Sequence, residues 1–285
     1  MKNKKTGIPT VNFHLTDACN FNCKFCFRQF TSSKGEIGYD DKIRVIDALA
    51  WGGTEKLNFV GGEPTLDRNL PKMITRAHEH GIVTSIVTNG TGLSDDFFAE
   101  VSGKLDWVGL SVDSLDAAKL KLMGRRAKNL VCDDEFYRNK VEKIHDAGIN
   151  LKINTVVNSF NHSEDMTQFI NYAKPARWKV MQMLAMDDKA SVYAVTPQQF
   201  ANFCGRHSVR VSSSTKMIAE SNELMRGSYI MVDAKGRFHD DTFGYYRYSA
   251  PILDVGVERA FEQVYVDMDK MRKRGGIYDW KAKSA

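Results

Sequence analysis

The chain has 285 residues, 42% of them apolar and 26% charged, and carries a formal net charge of +5. That balance supports a sizeable buried core and excludes a disordered chain. No apolar run reaches membrane-spanning length and no secretory h-region opens the chain, so five cysteines are read as belonging to a reducing, cytoplasmic compartment, with no membrane attachment.

The only dense basic run is Met1–Lys5, read as a frayed terminus, so no direct nucleic-acid binding is expected. From residue 10 onward, strand-like and helix-like segments alternate. TVNFHL (10–15) reads as a strand leading into the loop DACNFNCKFCF (17–27). DKIRVIDALAWGG (41–53) has helical periodicity and a glycine stop. KLNFVGG (56–62) is a strand and NLPKMITRAHEHG (69–81) a helix. IVTSIVTNG (82–90) is a strand, and SDDFFAEVSG (94–103) a short helix with a Ser/Asp cap. DWVGLSVDS (106–114) is a strand, and a helix near 134–147 ends at Gly148. NLKINTVVN (150–158) is a strand, SEDMTQFINYA (163–173) a capped helix, and ARWKVMQM (176–183) the sixth strand. Six β-then-α units predict an α/β fold with a parallel sheet and helices outside it. Six falls short of the eight of a closed barrel, so residues 1–185 are expected to form a partial (βα)6 barrel.

After about residue 190 the pattern changes. TPQQFANFCGRH (196–207) looks helical, SYIMVDAKGRFHDD (228–241) reads as a β-hairpin turning near Ala234–Gly236, and ILDVGVERAFEQV (252–264) as a helix. KRGGIYDW (273–280) is a C-terminal segment. Residues 186–285 are therefore assigned to an extension that closes the site and belongs to the same structural unit.

Cys19, Cys23 and Cys26 follow the first strand with C-x3-C-x2-C spacing. A zinc site completed by His14 is one reading. Structural zinc, however, pairs two knuckles, and Cys132 and Cys204 are isolated. Three thiolates suit a [4Fe–4S] cube with one iron left open. With the aromatic Phe25 inside it, the motif resembles that of the radical S-adenosylmethionine superfamily. The resemblance implies that the open iron chelates S-adenosylmethionine, whose reductive cleavage gives a 5′-deoxyadenosyl radical. Gly61, Gly62 and Glu63 of GGEP end the second strand. Glycines allow close backbone approach, and Glu63 can accept from an ammonium. The resemblance implies that this motif holds the cofactor amino group, although a plain strand-to-helix turn also explains Gly-Gly. Thr88 and Asn89 end the third strand and Ser111 the fourth, where Ser111 is a candidate for the cofactor ribose or carboxylate. Arg125 in MGRR could pair with the carboxylate. Taken alone, Ser111 and Arg125 read as ordinary loop or helix-end residues.

Residues two apart on a strand share a face. Lys152 and Asn154, Arg177 and Lys179, Lys56 and Asn58, and Asn12 and His14 then point into the barrel. Leu151, Ile153, Trp178 and Val180 point toward the helices. Unpaired interior cations cost several kcal/mol each, on an order-of-magnitude scale, so Lys56, Lys152, Arg177 and Lys179 call for a polyanion. Half-exposed strands with one wet face are the bland alternative.

VNFHLTDACNFNCKFCF, EKLNFVGGEP, LKINTVVNSFN, RWKVMQM, SNELMRGSYIMVD, ILDVGVE and KRGGIYDW together resemble the viperin family, from about residue 10 to residue 280. The resemblance implies conversion of a ribonucleoside triphosphate (CTP, UTP or GTP) into its 3′-deoxy-3′,4′-didehydro analogue, an RNA chain terminator in antiviral defence. It implies that Cys19, Cys23 and Cys26 hold the cluster and that Lys152, Arg177 and Lys179 hold the triphosphate. Lys56, Asn12 and Asn154 would lie near the phosphates or sugar. Tyr229 matches a tyrosine near the ribose, although as a sequence feature it also reads as a core aromatic of a hairpin. Arg274 matches a closing C-terminal segment. An electron donor such as flavodoxin or ferredoxin is implied, and a monomer is expected. With protein cations on the phosphates, no catalytic Mg²⁺ is expected. The chain starts almost at the first strand and runs five residues beyond Trp280, which suits a bacterial or archaeal homologue. The rivals are a radical enzyme of another substrate class, such as a peptide modifier or GTP cyclase, and a zinc-dependent nucleotide-binding module.

Overall fold

The computed structural model describes residues 7–27, 35–128, 130, 132–186 and 188–281; the run Met1–Lys5 lies outside them. Seven parallel strands follow one another in chain order. They are β1 (Thr10–His14), β2 (Lys56–Val60), β3 (Val83–Thr88), β4 (Trp107–Ser111), β5 (Asn150–Val157), β6 (Arg177–Gln182) and β7 (Lys216–Glu220). On the other edge, β8 (Met231–Val232) pairs in parallel with β1, and β9 (Arg237–Asp240) and β10 (Arg247–Pro251) continue antiparallel. The result is one sheet in the order β10-β9-β8-β1-β2-β3-β4-β5-β6-β7, continuous across residue 185. Side chains of β1, β2, β5, β6 and β7 line a common pocket, so the sheet curls into a partial barrel.

The outward row of the strands carries the core. Leu57, Leu110, Leu151, Ile153, Trp178 and Val180 are at most 1% exposed. Each side chain of that size contributes about 1.5–3 kcal/mol by leaving water. Trp178 meets Phe203 and His207 of the helix Pro197–Ser208 edge-on, at 6.1 and 5.1 Å between ring centroids. That helix carries a full capping box, with the Thr196 hydroxyl accepting from Gln199 N–H and the Gln199 side chain accepting from Thr196 N–H. Ser94 caps Asp95–Glu100 by accepting from Phe97 N–H at 3.1 Å. No helix among the described residues is long and apolar enough to cross a membrane.

Several elements differ from the sequence reading. The seventh parallel strand, β7, was not expected: KMIAE lies at the sheet edge with Lys216 and Ala219 exposed and only Glu220 buried, so it lacks the buried apolar signal of its neighbours. The helix expected over 163–173 begins only at Thr167. Glu164 is drawn out of it to bind Ser114 Oγ and Leu115 N–H on the loop after β4 and, at 3.1 Å, Lys119 Nζ on the helical turn that follows. The helix expected over 252–264 breaks into Ile252–Val255 and Val257–Phe261 at Gly256, whose φ of 85° no helix accommodates. The hairpin over 228–241 is present as β8 and β9, with Asp233 Oδ1 accepting from Lys235 and Arg237 N–H at its turn.

Candidate active site

The cysteine loop leaves the end of β1 and is held from two sides. Gly62 N–H donates to Thr16 O at 2.7 Å and Glu63 N–H to Ala18 O at 2.8 Å. A Cβ on Gly62 would stand 2.0 Å from Ala18 O, so the two backbones touch and only glycine fits. A short helix, Ala117–Leu122, capped by Asp116 and absent from the sequence reading, delivers Met123 and Gly124 to the other side. There Asn22 N–H donates to Gly124 O and Lys24 N–H to Met123 O, at 3.1 and 2.9 Å, and a Cβ on Gly124 would lie 2.1 Å from Asn22 O. Phe25 is buried against Met123, Met183 and Ala190. The glycines of GGEP thus serve close approach of this loop's own backbone.

Cys19, Cys23 and Cys26 are half-buried thiols on that loop. Burial pushes the Cys23 thiol up to about 12; Arg125 opposes this, while Cys26 and Cys19 add to it. Among the described residues no three His, Cys, Asp or Glu side chains converge as for a single metal ion. A cube asks for less convergence, because each thiolate takes its own iron. The donor set therefore fits a three-cysteine cluster.

Glu63 is 1% exposed and accepts from Thr65 N–H, Thr65 Oγ1, Thr88 Oγ1 and Asn89 N–H at 3.2, 2.6, 2.6 and 2.7 Å. Asn89 Nδ2 passes the link on to Asn20 Oδ1 at 2.8 Å, one residue from Cys19. Thus Glu63, Thr88 and Asn89 are brought together, with the Glu63 carboxylate surrounded by protein donors. Ser111, at the end of β4, gives its carbonyl to Arg125 Nη2. The Arg125 guanidinium forms a buried pair with Asp113 at 2.9 Å, so it is already committed to a protein carboxylate.

The cations meet deeper in the barrel. Lys152 pairs in register with Arg177, and Asn154 with Lys179, while Asn12 pairs with Asn58 and donates from Nδ2 to Ile230 O. Lys56, Lys152, Arg177, Lys179 and Arg274 all line one pocket with Asn12 and Tyr229. Asn154 lies on the same face, one pleat beyond Lys152. The amide oxygens of Asn58 and Asn154 are buried with no hydrogen-bond partner among the described residues, a cost of about 1–3 kcal/mol each that a polar ligand would relieve. Burial, with Lys179 and Arg177 adding, lowers Lys152 to about 7. Burial also lowers Lys179 to about 8, against the pull of Glu220. Burial, with Lys152 and Arg177 beside it, drives Lys56 well below the usual lysine range.

The tail wraps the cradle in aromatic faces. Lys56 Nζ donates to the Tyr278 phenol at 2.8 Å and lies 5.2, 4.9 and 5.8 Å from the Trp107, Tyr278 and Trp280 rings. Arg177 stacks on Tyr278 at 3.8 Å and donates to Gly275 O at 2.8 Å. Sequence reading missed Glu220, Tyr278 and Trp280 as pocket residues. Glu220 was hidden because β7 was not seen. The aromatics carry no alternation signal, although the tail itself was marked.

A tetra-anion entering such a site restores the lysine charges, so binding takes up protons. At pH 8, calorimetric titration of a nucleoside triphosphate in Hepes and in Tris is expected to differ by a net proton uptake. Identical observed heats in the two buffers, whose ionisation enthalpies differ, would contradict the cradle.

Residues 13–173 match the family described as the radical SAM superfamily. A protein of Lacinutrix mariniflava named S-adenosylmethionine-dependent nucleotide dehydratase is 41% identical over 98% of this chain, which spans 60% of that relative's length. A protein of Flammeovirga pacifica with the same name is 40% identical over 96% of this chain and 97% of its own. Among solved structures, SuiB of Streptococcus suis bound to S-adenosylmethionine superposes with a TM-score of 0.65 over 81% of this chain and 60% of its own, at 16% identity. That likeness speaks for the fold.

Proposed function

Because the chain belongs to the radical S-adenosylmethionine superfamily and, within it, to the nucleotide dehydratases of the viperin family, we propose that it removes water from the ribose of a nucleoside triphosphate, giving the 3′-deoxy-3′,4′-didehydro nucleotide. The observation that carries this reading is the convergence of Lys56, Lys152, Arg177, Lys179 and Arg274 on one pocket with the single carboxylate Glu220 among its described lining. Five cations and one carboxylate leave four net positive charges when all are ionised, against about four negative charges on a triphosphate.

Cys19, Cys23 and Cys26 would hold the cluster, which with S-adenosylmethionine supplies a 5′-deoxyadenosyl radical when bound. The chain's own residues do the positioning. Lys152, Arg177 and Lys179 fix the phosphates, so the ribose is presented toward the cysteine end of the barrel. Asn58 and Asn154 offer their free amide oxygens to sugar hydroxyls. Tyr229, whose phenol burial and Glu220 hold well above its ordinary value, stays protonated, with its O–H donated to Glu220. The product would act as an antiviral chain terminator. A flavodoxin or ferredoxin would supply electrons to a monomeric, cytoplasmic enzyme.

The test is anaerobic incubation with S-adenosylmethionine, a strong reductant and each nucleoside triphosphate separately. Mass spectrometry should find 5′-deoxyadenosine together with a nucleotide lighter by one water. Formation of 5′-deoxyadenosine that ignores every nucleotide would refute the substrate class and leave the family standing.

A further inference from the structure

Within an anion pocket a carboxylate is out of place, yet Glu220 closes β7 at 1% exposure. One of its oxygens, Oε2, lies 3.1 Å from Lys179 Nζ and accepts the Tyr229 phenol. The other, Oε1, lies 3.3 Å from Arg274 Nη1. The same partners also pack on one another: Arg274 stands 3.7 Å and Lys179 4.5 Å from the Tyr229 ring centre, and the Lys179 ammonium donates to the Tyr229 hydroxyl. Arg274 Nε donates further to Ser228 Oγ at 2.9 Å, so the tail is tied to the residue before Tyr229.

An anion here weakens the attraction for the incoming phosphates, so its presence calls for a different function. We propose that Glu220 is a positioning residue that fixes the Tyr229 phenol in one orientation, holds Arg274 aligned and keeps Lys179 aligned and charged before the nucleotide arrives. This role rests on the nucleotide reading of the pocket. The charged groups facing Glu220 come from β6, from the tail and from the segment before β8: Lys179, Arg274 and Tyr229, with Lys152 and Arg177 felt at longer range. A glutamine at 220 has the right size but no charge. Lys179 would then face Lys152, Arg177 and Arg274 without an anion, and its ammonium would lose its proton at lower pH.

Two readouts separate this from a packing role. The first is the pH profile of binding, measured with inorganic tripolyphosphate and with CTP on cluster-reconstituted, unreduced protein. The second is the ratio of 5′-deoxyadenosine to dehydrated nucleotide under reduction. For Glu220→Gln, binding should fail about one pH unit earlier than in the wild type, which is roughly tenfold weaker binding above that point. The ratio should rise at least about threefold, because radical formation continues while alignment is lost. Glu220→Asp keeps the charge but withdraws it, so it should restore the pH profile and leave the ratio high. Tyr229→Phe should show the wild-type pH profile with the high ratio. The proposal is overturned if Glu220→Gln matches the wild type in both readouts, or if all three variants lose cooperative melting together with both functions. A wild-type protein that binds neither tripolyphosphate nor any nucleoside triphosphate would instead overturn the nucleotide reading, and this role with it.

Discussion

Gly62→Ala should yield a folded chain that cannot hold iron. The new Cβ would lie 2.0 Å from Ala18 O, 2.5 Å from Ala18 C and 2.9 Å from Asp17 O, all of them backbone atoms that no rotamer change can move. Relief requires the loop before Cys19 to shift by more than an ångström, which breaks Gly62 N–H to Thr16 O and Glu63 N–H to Ala18 O. Two buried backbone bonds left unmade cost roughly 2–6 kcal/mol together. The loss falls on the loop, because the sheet beneath keeps its own ladder from β1 to β2. Iron content after anaerobic reconstitution should drop to background, while the far-ultraviolet spectrum stays close to that of the wild type. The internal control is Gly205→Ala in the helix Pro197–Ser208, where a Cβ meets nothing within 4 Å. That change should stabilise the protein by about 0.5–1 kcal/mol and leave iron binding untouched. Full iron content in Gly62→Ala would show that the loop is not clamped as described.

Lys152→Met separates stability from binding. In the folded protein Lys152 is held near 7, chiefly by burial and by Lys179 and Arg177, whereas an unfolded lysine titrates near 10.4. Because the folded value is depressed, the unfolded chain binds more protons between these pH values. The penalty on folding is therefore full below about pH 7 and fades as the pH rises toward the unfolded value. Replacing the ammonium with an apolar chain of similar length should raise ligand-free stability by about 1–4 kcal/mol at neutral pH, with the gain shrinking by pH 10. Nucleotide affinity should fall by about 2–5 kcal/mol, the cost of truncating one partner of a buried charge pair. Thermal melts with and without CTP check both halves. The variant should melt higher than the wild type alone and lose most of the wild-type shift on adding nucleotide. A variant destabilised at every pH would mean that Lys152 is satisfied in the empty pocket.

The parts of the molecule legible in sequence were those where one physical demand dominates. Strand alternation placed Lys152, Arg177 and Lys179 on the inner face because their neighbours Leu151, Ile153 and Trp178 must leave water, and the register confirms the phase. Cysteine spacing marked the loop because three thiols in eight residues have few other uses. β7 stayed hidden because an edge strand with a wet face has no periodic apolar demand to display, and Glu220 went with it. Arg125 was read as free for a ligand carboxylate. Its pairing with Asp113, two residues beyond the end of β4, is a tertiary contact that spacing cannot signal. The double clamp on the cysteine loop was half visible: GGEP was noticed, but Gly124 gains its meaning only when the helix Ala117–Leu122 brings it against Asn22.

The aromatic wrapping of the cradle sets a threshold for bystander anions. Lys56 and Arg177 rest on Trp107, Tyr278 and Trp280, contacts that contribute about 0.5–2 kcal/mol each when water is excluded. A chloride or a single phosphate would have to peel those cations from their rings and could engage only one or two of them in return. A triphosphate engages several at once, so the rings act as a false ligand that only a chain of phosphates can outbid. If the pocket takes the triphosphate proposed for it, the tail of this protein sorts anions by valency before any base is read.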